Sequence, residues 1–229
     1  MISIVTINLN NSFGLKRTIE SLKMQRDKDF EWILIDGASD DDSLKQLSNI
    51  DFTHKVISEP DNHIYDAMNK GINYASGKYL LFLNSGDIFI NKDSMSILKN
   101  AYTNFSDYDI FLFGFKLLGK KRKPKPLFWR YWSLPTSHQS ILYKRDVFDK
   151  FKYSNDFHYG GDFEHFLRIF KHFNIKSIKK ILIENEAYGS ANREVLIEYE
   201  KALKMVLHPF MALIISKAKL YYFFLRGFL

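Results

Sequence analysis

Carboxylates and amides recur wherever the apolar runs of this chain stop. Phe30 to Ile35 ends at Asp36-Gly37, Tyr79 to Leu83 at Asn84-Ser85-Gly86-Asp87, and Ile2 to Ile7 at Asn8, while Glu59 and Asp61 follow Lys55 to Ser58. With Thr6 they make an acidic, amide-rich set suited to a metal ion and to the edges of a nucleoside. Hard divalent cations such as Mg²⁺ or Mn²⁺ take oxygen ligands, keep waters, and are held by one or two carboxylates plus substrate phosphates. Asp87 fits that role, because a buried strand delivers it and Gly86 before it lets a ligand approach the backbone. Taken alone, Asp87 reads more readily as a helix cap or turn residue. Loop polarity explains polar strand ends, but less easily the convergence of so many carboxylates.

These residues need a scaffold that gathers strand ends. Ile2 to Ile7 is rich in strand formers, and Leu15, Ile19 and Leu22 then recur at helical spacing. Phe30 to Ile35 reads as a second strand, Ser39 to Leu47 as a short helix and Lys55 to Ser58 as a third strand. Asp61 can cap the next helix, whose Ile64, Ala67, Met68, Gly71, Ile72 and Ala75 form one face and which Gly77 ends. Tyr79 to Leu83 is a fourth strand. This alternation predicts a mostly parallel sheet covered by helices, with the binding crevice beyond the carboxyl ends of the strands. The second half is less regular. It reads as a strand over Ile110 to Leu118, a basic loop over Gly119 to Pro126 and a short helix over Val147 to Phe151. A helix over Asp162 to Phe173 follows, with Phe163, Phe166, Leu167 and Phe170 buried, then a strand over Ile175 to Ile183 and a helix over Val195 to Val206.

The 229 residues include no cysteine, which excludes disulfides, thiolate zinc sites and cysteine nucleophiles. Met1 to Leu9 runs straight into a strand, so no signal peptide is expected, and no apolar run approaches the ~20 residues of a spanning helix. The net charge of +7 points to an anionic partner: phosphate, nucleic acid or an acidic membrane. The basic residues lie late, at Lys120, Lys121, Arg122, Lys123 and Lys125, and again at Lys201, Lys204, Lys217, Lys219 and Arg226. From His208 onward, aromatic and aliphatic runs are broken by lysines, the composition of a segment lying in the interface of an anionic membrane. Packing on the rest of the chain or on a second subunit is the plainer alternative, and Phe210, Leu213, Ile214 and Lys217 share a face in either case.

As a set and in this order, four segments resemble the family-2 glycosyltransferases, which share the nucleotide-diphospho-sugar transferase (GT-A) fold. They are Ile4-Val5-Thr6-Ile7-Asn8, Asp36-Gly37-Ala38-Ser39-Asp40-Asp41, the stretch from Asp61-Asn62-His63 to Asn69-Lys70-Gly71, and Asn84-Ser85-Gly86-Asp87, and the helix with Ser21-Leu22 and Gln25 is similar to that family too. The resemblance is close over the first ninety residues and weaker to about Ser190. It implies an α/β chain with a single GT-A-type, Rossmann-like domain, a mostly parallel central sheet and a C-terminal helical appendage. Residues 1–190 would be catalytic, with 1–90 binding the sugar nucleotide and 91–190 the acceptor, and 191–229 would contact membrane or a subunit.

Site roles follow from the same resemblance. Thr6, Asn8 and Asp36 would meet the nucleobase and ribose, Asp36 accepting from a uracil N–H. Asp61 and the helix after it would line the donor pocket, with Asn69 and Lys70 on its exposed face, and Asn84, Ser85 and Gly86 would complete it. Asp87 would hold the Mn²⁺ or Mg²⁺ that bridges the two phosphates. Asn84 and Gly86 stand where the family often has carboxylates, so one metal or ribose contact is missing or made through water. Tyr159-Gly160-Gly161-Asp162-Phe163-Glu164 resembles the family's catalytic-base region. Inverting transfer needs a carboxylate that takes the acceptor hydroxyl's proton as that oxygen attacks the anomeric carbon. Asp162 is the matching position and Glu164 the second choice, although Asp162 can also cap the helix it opens. His138-Gln139 stands where related enzymes place acceptor-binding or metal-proximal groups, whereas His158 and His165 read as structural. Tyr188-Gly189-Ser190 resembles a loop that closes over the donor phosphates.

The expectation is an inverting, metal-dependent glycosyltransferase that moves a sugar from a nucleotide-diphospho-sugar, UDP-linked, to a hydroxyl of a glycan or lipid-linked glycan. It would act in surface polysaccharide assembly, peripheral at the cytoplasmic face of the membrane, with a homo-oligomer among its possible states. Two alternatives stand beside it. A sugar-1-phosphate nucleotidyltransferase shares the fold but usually carries a glycine-rich, basic segment after the first strand, and Asn8 to Gly14 has one glycine and no base. A nucleic-acid-binding module interleaves aromatics with its charges, and the Lys120–Lys125 cluster has none until Phe128, Trp129, Tyr131 and Trp132, so no nucleic-acid partner is expected.

Overall fold

The computed structural model describes residues 1–48, 50–186 and 193–225. Strand β1 (Ile2–Asn8) lies between β2 (Phe30–Asp36) and β4 (Tyr79–Phe82), with β3 (His54–Ser58) outside β2, and all four run parallel. Helix α1 (Ser12–Lys23) links β1 to β2, and α2 (Ile64–Tyr74) links β3 to β4. Successive side chains on a strand point to opposite faces. Ile2, Ile4, Trp32, Leu34 and Leu81 therefore enter one core with Leu15, Ile19 and Leu22 of α1. Val5, Ile33, Ile35, Leu80 and Phe82 enter the other with Ala67, Met68 and Ile72 of α2. Near-continuous apolar runs are what a parallel sheet covered on both faces requires.

The second half extends the same sheet with mixed directions. It contributes β5 (Ile88–Phe89), α3 (Ser94–Asn104), β6 (Ile110–Leu117), β7 (Lys120–Arg122), β8 (Ile141–Lys144), α4 (Asp146–Lys150), α5 (Gly161–Ile169) and β9 (Ile175–Asn185). The strand order is β3-β2-β1-β4-β8-β6-β9-β5, with β7 paired to β6. β8 is antiparallel to both β4 and β6, and β9 is parallel to β6 and antiparallel to β5. The α/β class and the central sheet are as expected; the continuous parallel block is β3-β2-β1-β4.

Three local expectations are corrected. The basic segment after Gly119 opens as a hairpin strand rather than a loop, because Leu118 and Gly119 both take positive φ, 49° and 76°, as a tight hairpin turn demands. Ser39 to Leu47 yields only a 3-10 turn over Leu44–Leu47. Asp36 and Asp41 side chains take the N–H groups of Ser39 and Ser43 at 2.9 Å each, so the backbone is tied into loop bonds that compete with a helix. The cap of α2 is His63, whose ring nitrogen accepts from the Asp66 N–H at 3.3 Å; Asp61 is instead paired with Lys70 at 2.7 Å.

Beyond β9, α6 (Arg193–Val206) and α7 (Pro209–Leu225) pack on α5 in a third cluster, where Phe163 and Leu167 meet Tyr199, Ala202, Leu203 and Ala212. α5 is shorter than its pattern suggested, and its cap is Gly160, not Asp162. A carboxylate from α6 holds the backbone just before the helix: Glu198 accepts from the His158, Tyr159 and Gly160 N–H groups at 2.8, 2.9 and 2.7 Å. Ala212 and Ser216 of α7 are buried while Phe210, Ile214, Tyr221 and Phe224 are exposed. Among the described residues, no helix is long and apolar enough to cross a membrane.

Candidate active site

A cleft of about 530 Å³ opens at the carboxyl ends of β1 and β4. It is lined by Ile7 to Leu9 and Asn11, by Asp61 to Ile64 and Ala67, by Asn84, Ser85 and Asp87, and by Gln139 and Glu186. Asp87 is 4% exposed, and its Oδ1 accepts from the Glu186 N–H at 2.9 Å and from Asn185 Nδ2 at 3.2 Å. Burial outweighs both bonds and, helped by the neighbouring Glu186 carboxylate, pushes the Asp87 carboxyl up to about 7. Asn8 Oδ1 and Asn84 Oδ1 are buried with no hydrogen-bond partner among the described residues. Asn8 and Asn84 share the lining of the cleft with the Asp87 and Glu186 carboxylates, so oxygen acceptors dominate it.

Glu186 reaches this set because Gly86 leaves room for it. Gly86 has φ 96°, and a Cβ there would lie 1.8 Å from Glu186 Oε2. Asn11 Nδ2 at 3.1 Å and Arg17 Nη1 at 3.5 Å hold the Glu186 carboxylate in place. Asn11 also caps α1, its Oδ1 accepting from the Gly14 N–H at 2.9 Å.

Asp162 lies in an adjoining cavity of about 450 Å³, with Ser133, Leu134, Tyr159, Gly160, Phe163, Val195, Tyr199, Lys219 and Phe223. Its Oδ1 accepts from the Phe163 N–H at 2.8 Å and from Tyr65 Oη at 3.4 Å. Burial raises the Asp162 carboxyl above its ordinary range even though both bonds pull the other way. The first turn of α2 joins the two spaces: His63 lines the cleft, and Tyr65 donates to the Tyr159 carbonyl at 3.1 Å. Gly161 admits the Tyr65 ring, since a Cβ there would sit 2.7 Å from Tyr65 Cε2.

The glycosyl transferase family 2 model matches residues 3–170. The chain belongs to that family. Among curated relatives, a PGL/p-HBAD biosynthesis glycosyltransferase of Mycobacterium tuberculosis (strain H37Rv) is 30% identical over 161 residues, 65% of this chain and 60% of that protein. An uncharacterised glycosyltransferase of the same strain is 45% identical over 95 residues, 40% of this chain and 36% of that one. The chain thus matches about a third to three-fifths of these relatives' lengths. Among solved structures, S. aureus TarS 1–349 in complex with UDP-GlcNAc aligns with TM-score 0.71 at 17% identity, over 97% of this chain and 72% of that one. Glucosyl-3-phosphoglycerate synthase from M. tuberculosis, with Mn²⁺, UDP and glucosyl-3-phosphoglycerate, aligns with TM-score 0.66 at 15% identity, over 90% and 80%. At those identities the likeness carries the fold.

Of the residues expected in a donor site, Asn8, Asp61, Asn84, Ser85 and Asp87 line the cleft, as does Gln139, and Gly86 adjoins it beneath Glu186. Others are occupied elsewhere. The Thr6 hydroxyl donates to the Leu83 carbonyl at 2.7 Å and accepts from Trp32 Nε1 at 2.9 Å, which fixes it inside the sheet. Asp36 is fully buried; burial alone would raise its carboxyl, but bonds from Ser39, Asn8 and Ser58 hold it below the usual range. It therefore orients Asn8 Nδ2, 2.8 Å away, rather than offering a free acceptor to a base. Asn69 clamps both backbone groups of Tyr153, at 3.0 and 3.1 Å. Lys70 neutralises Asp61 and Glu59, which raise its ammonium despite partial burial.

The acceptor-side expectations divide in the same way. Glu164 is buried in a two-toothed pair with Arg168 and lines neither cavity. His138 is enclosed, its Nε2 bonded to Tyr153 Oη at 2.5 Å, and burial pushes it down to about 4, so it stays neutral. His165 is likewise buried, bonded to the Phe151 carbonyl at 2.8 Å. Ser190 lies outside the described residues. Sequence reasoning missed Asn11, Asn62, His63 and Glu186; the strand-end rule applied to β9 would have reached Glu186.

Proposed function

We propose that this glycosyltransferase binds a uridine-diphospho-sugar in the strand-end cleft and passes the sugar, with inversion, to a hydroxyl of a glycan or lipid-linked glycan of surface polysaccharide. The observation that carries the reading is Asp87, a buried carboxyl pushed to about 7 among unmet oxygens where the donor phosphates belong. The solved relatives are consistent with it, since one holds UDP-GlcNAc and another UDP with Mn²⁺. Asp87 and Glu186 would hold Mn²⁺ or Mg²⁺, with Asn84 Oδ1 within the same lining. Bound there, the cation supplies charge neutralisation for the diphosphate leaving group. No group of three or more acidic or histidine side chains forms a metal site among the described residues, so the protein would offer the cation these two carboxylates.

Asp162 takes the acceptor hydroxyl's proton as that oxygen attacks the anomeric carbon, and the bond from that carbon to the donor phosphate oxygen breaks on the opposite side. Tyr65 and the Phe163 N–H hold the carboxylate in position, and burial raises its pKa above the ordinary carboxylate range, which makes it a stronger base. The test is hydrolysis and transfer from a panel of nucleotide sugars with Mn²⁺ or Mg²⁺, followed by mass spectrometry and product anomer assignment. UDP-sugar consumption with an inverted product supports the reading; retention of configuration rules out direct displacement.

The outer face of α7 rests on an anionic membrane at the cytoplasmic side in the same proposal. Phe210, Ile214, Tyr221, Phe224 and Leu225 are exposed on it beside Lys217, the arrangement of an interfacial helix. Co-sedimentation with anionic vesicles should fall in a Phe210→Ser, Tyr221→Ser, Phe224→Ser variant. Unchanged, negligible binding together with a concentration-dependent mass would make the face a contact between two copies instead.

A further inference from the structure

The cavity that holds Asp162 is closed by the C-terminal helices, and they bring charge to it. Its walls are largely apolar, with Leu134, Phe163, Tyr199 and Phe223. Into this wall α7 inserts Lys219, whose Nζ lies 3.3 Å from the Tyr199 ring centroid and 5.5 Å from that of Phe163. A second cation borders the same space: Lys125 Nζ donates at 2.8 Å to Ser133 Oγ, and Ser133 is part of the wall. Burial and the charge of Lys125 push the Lys219 ammonium down to about 7, against the pull of Asp162. A half-buried ammonium among rings gives up part of its hydration where an aliphatic chain would pack as well. Lys219 lines the cavity and Lys125 is held at its edge by Ser133, so an anion on the Ser133 side meets both charges.

We propose that this cavity is the acceptor subsite and that it takes an acceptor bearing a phosphate group, gripped by Lys219 and Lys125 while its hydroxyl faces Asp162. This rests on Asp162 acting as the base. Tyr199, Phe163 and Phe223 supply flat apolar surface for a sugar ring or an alkyl chain beside the phosphate. α7 is then part of the acceptor site as well as a cover for the third core cluster. A soluble sugar phosphate and a lipid-linked phosphate share this chemistry, so the experiment carries one probe of each.

The full chain is titrated calorimetrically with glucose 1-phosphate and with geranyl phosphate, and with glucose and geraniol as phosphate-free controls. At least one phosphate should bind more tightly than its control, and Lys219→Met and Lys125→Met should each weaken it by about tenfold or more. Lys219→Arg should restore most of the affinity. A preference for glucose 1-phosphate identifies a soluble acceptor and one for geranyl phosphate a lipid-linked acceptor; either supports the subsite. Equal binding of phosphate and control, or unchanged affinity in both methionine variants, overturns it. Methionine keeps the apolar stem, so Lys219→Met should melt no lower than wild type; if it does melt lower, the exposed Lys125→Met decides. UDP is titrated into the same preparation. Failure of UDP to bind defeats the donor reading, whereas UDP binding without phosphate discrimination defeats this inference alone.

Discussion

The strand-end cleft and the Asp162 cavity are joined through one turn of α2, yet they are built in different ways. In the cleft, four polar groups arrive at the carboxyl ends of sheet strands: Asn8 from β1, Asn84 and Asp87 after β4, Glu186 after β9. In the cavity, Asp162 comes from α5, Tyr199 from α6, Lys219 and Phe223 from α7, and Ser133 from the irregular segment before β8. A parallel sheet gathers its carboxyl ends by topology, whatever the loops contain. A cavity between helices exists only once three helices have found each other, and its chemistry depends on which side chains happen to face inward. The cleft is thus set by the fold, and the cavity by the packing of α5, α6 and α7.

Replacement of Asp87, the proposed metal ligand, should have the largest effect, because it strikes the cleft alone. Asp87→Asn should lower transfer by roughly a thousandfold or more, several kcal/mol of transition-state stabilisation, in a steady-state assay with Mn²⁺. The same variant should be more stable than the metal-free wild type at neutral pH. The folded pKa of Asp87 is raised to about 7 from ~3.9 unfolded, so its contribution is full below pH 4 and is lost as pH rises through 7. A melting series from pH 4 to 8 should show wild type losing stability relative to Asp87→Asn over that window.

Asp162→Asn comes next and strikes the other side. Turnover should fall by ~10²–10⁴, the usual contribution of a positioned base. Asparagine retains an oxygen for the Phe163 N–H, and Gly160 rather than Asp162 is the cap, so the melting temperature should hardly move. A variant that only loses stability would return Asp162 to a structural role. Glu198→Ala should be smaller and should sharpen the contrast. Removing the acceptor of three N–H groups costs about 1–3 kcal/mol, read by chemical denaturation, with turnover reduced and UDP affinity unchanged. Gly86→Ala should do the reverse on a small scale. It strains a backbone at φ 96° by about 1 kcal/mol and displaces Glu186, so UDP affinity with Mn²⁺ should fall before turnover at saturation does.

The contrast also explains what could be read before any coordinates. Leu15, Ile19 and Leu22, the strands through Leu83, and the ring of polar residues at strand ends all follow from local period and punctuation. Whether a polar residue at such an end faces the cleft depends on its neighbours. Asp36 was legible as a strand-end carboxylate, but Ser39, Asn8 and Ser58 claim it, and Trp32 claims Thr6. Gly86, where a carboxylate is lacking, is covered by Glu186 from a strand almost a hundred residues later, a contact no local pattern encodes. Lys219 read as one more tail lysine for a membrane surface; its place against Tyr199 belongs to the packing of α7 alone.

The most direct test of the account is a calorimetric titration of UDP into wild type, Asp87→Asn and Asp162→Asn, each with and without Mn²⁺. Wild type and Asp162→Asn should bind with equal affinity and only weakly without the cation, while Asp87→Asn should lose the cation dependence. Loss of UDP binding in Asp162→Asn, or cation-dependent binding that survives in Asp87→Asn, would contradict a donor cleft organised by Asp87 and a separate base.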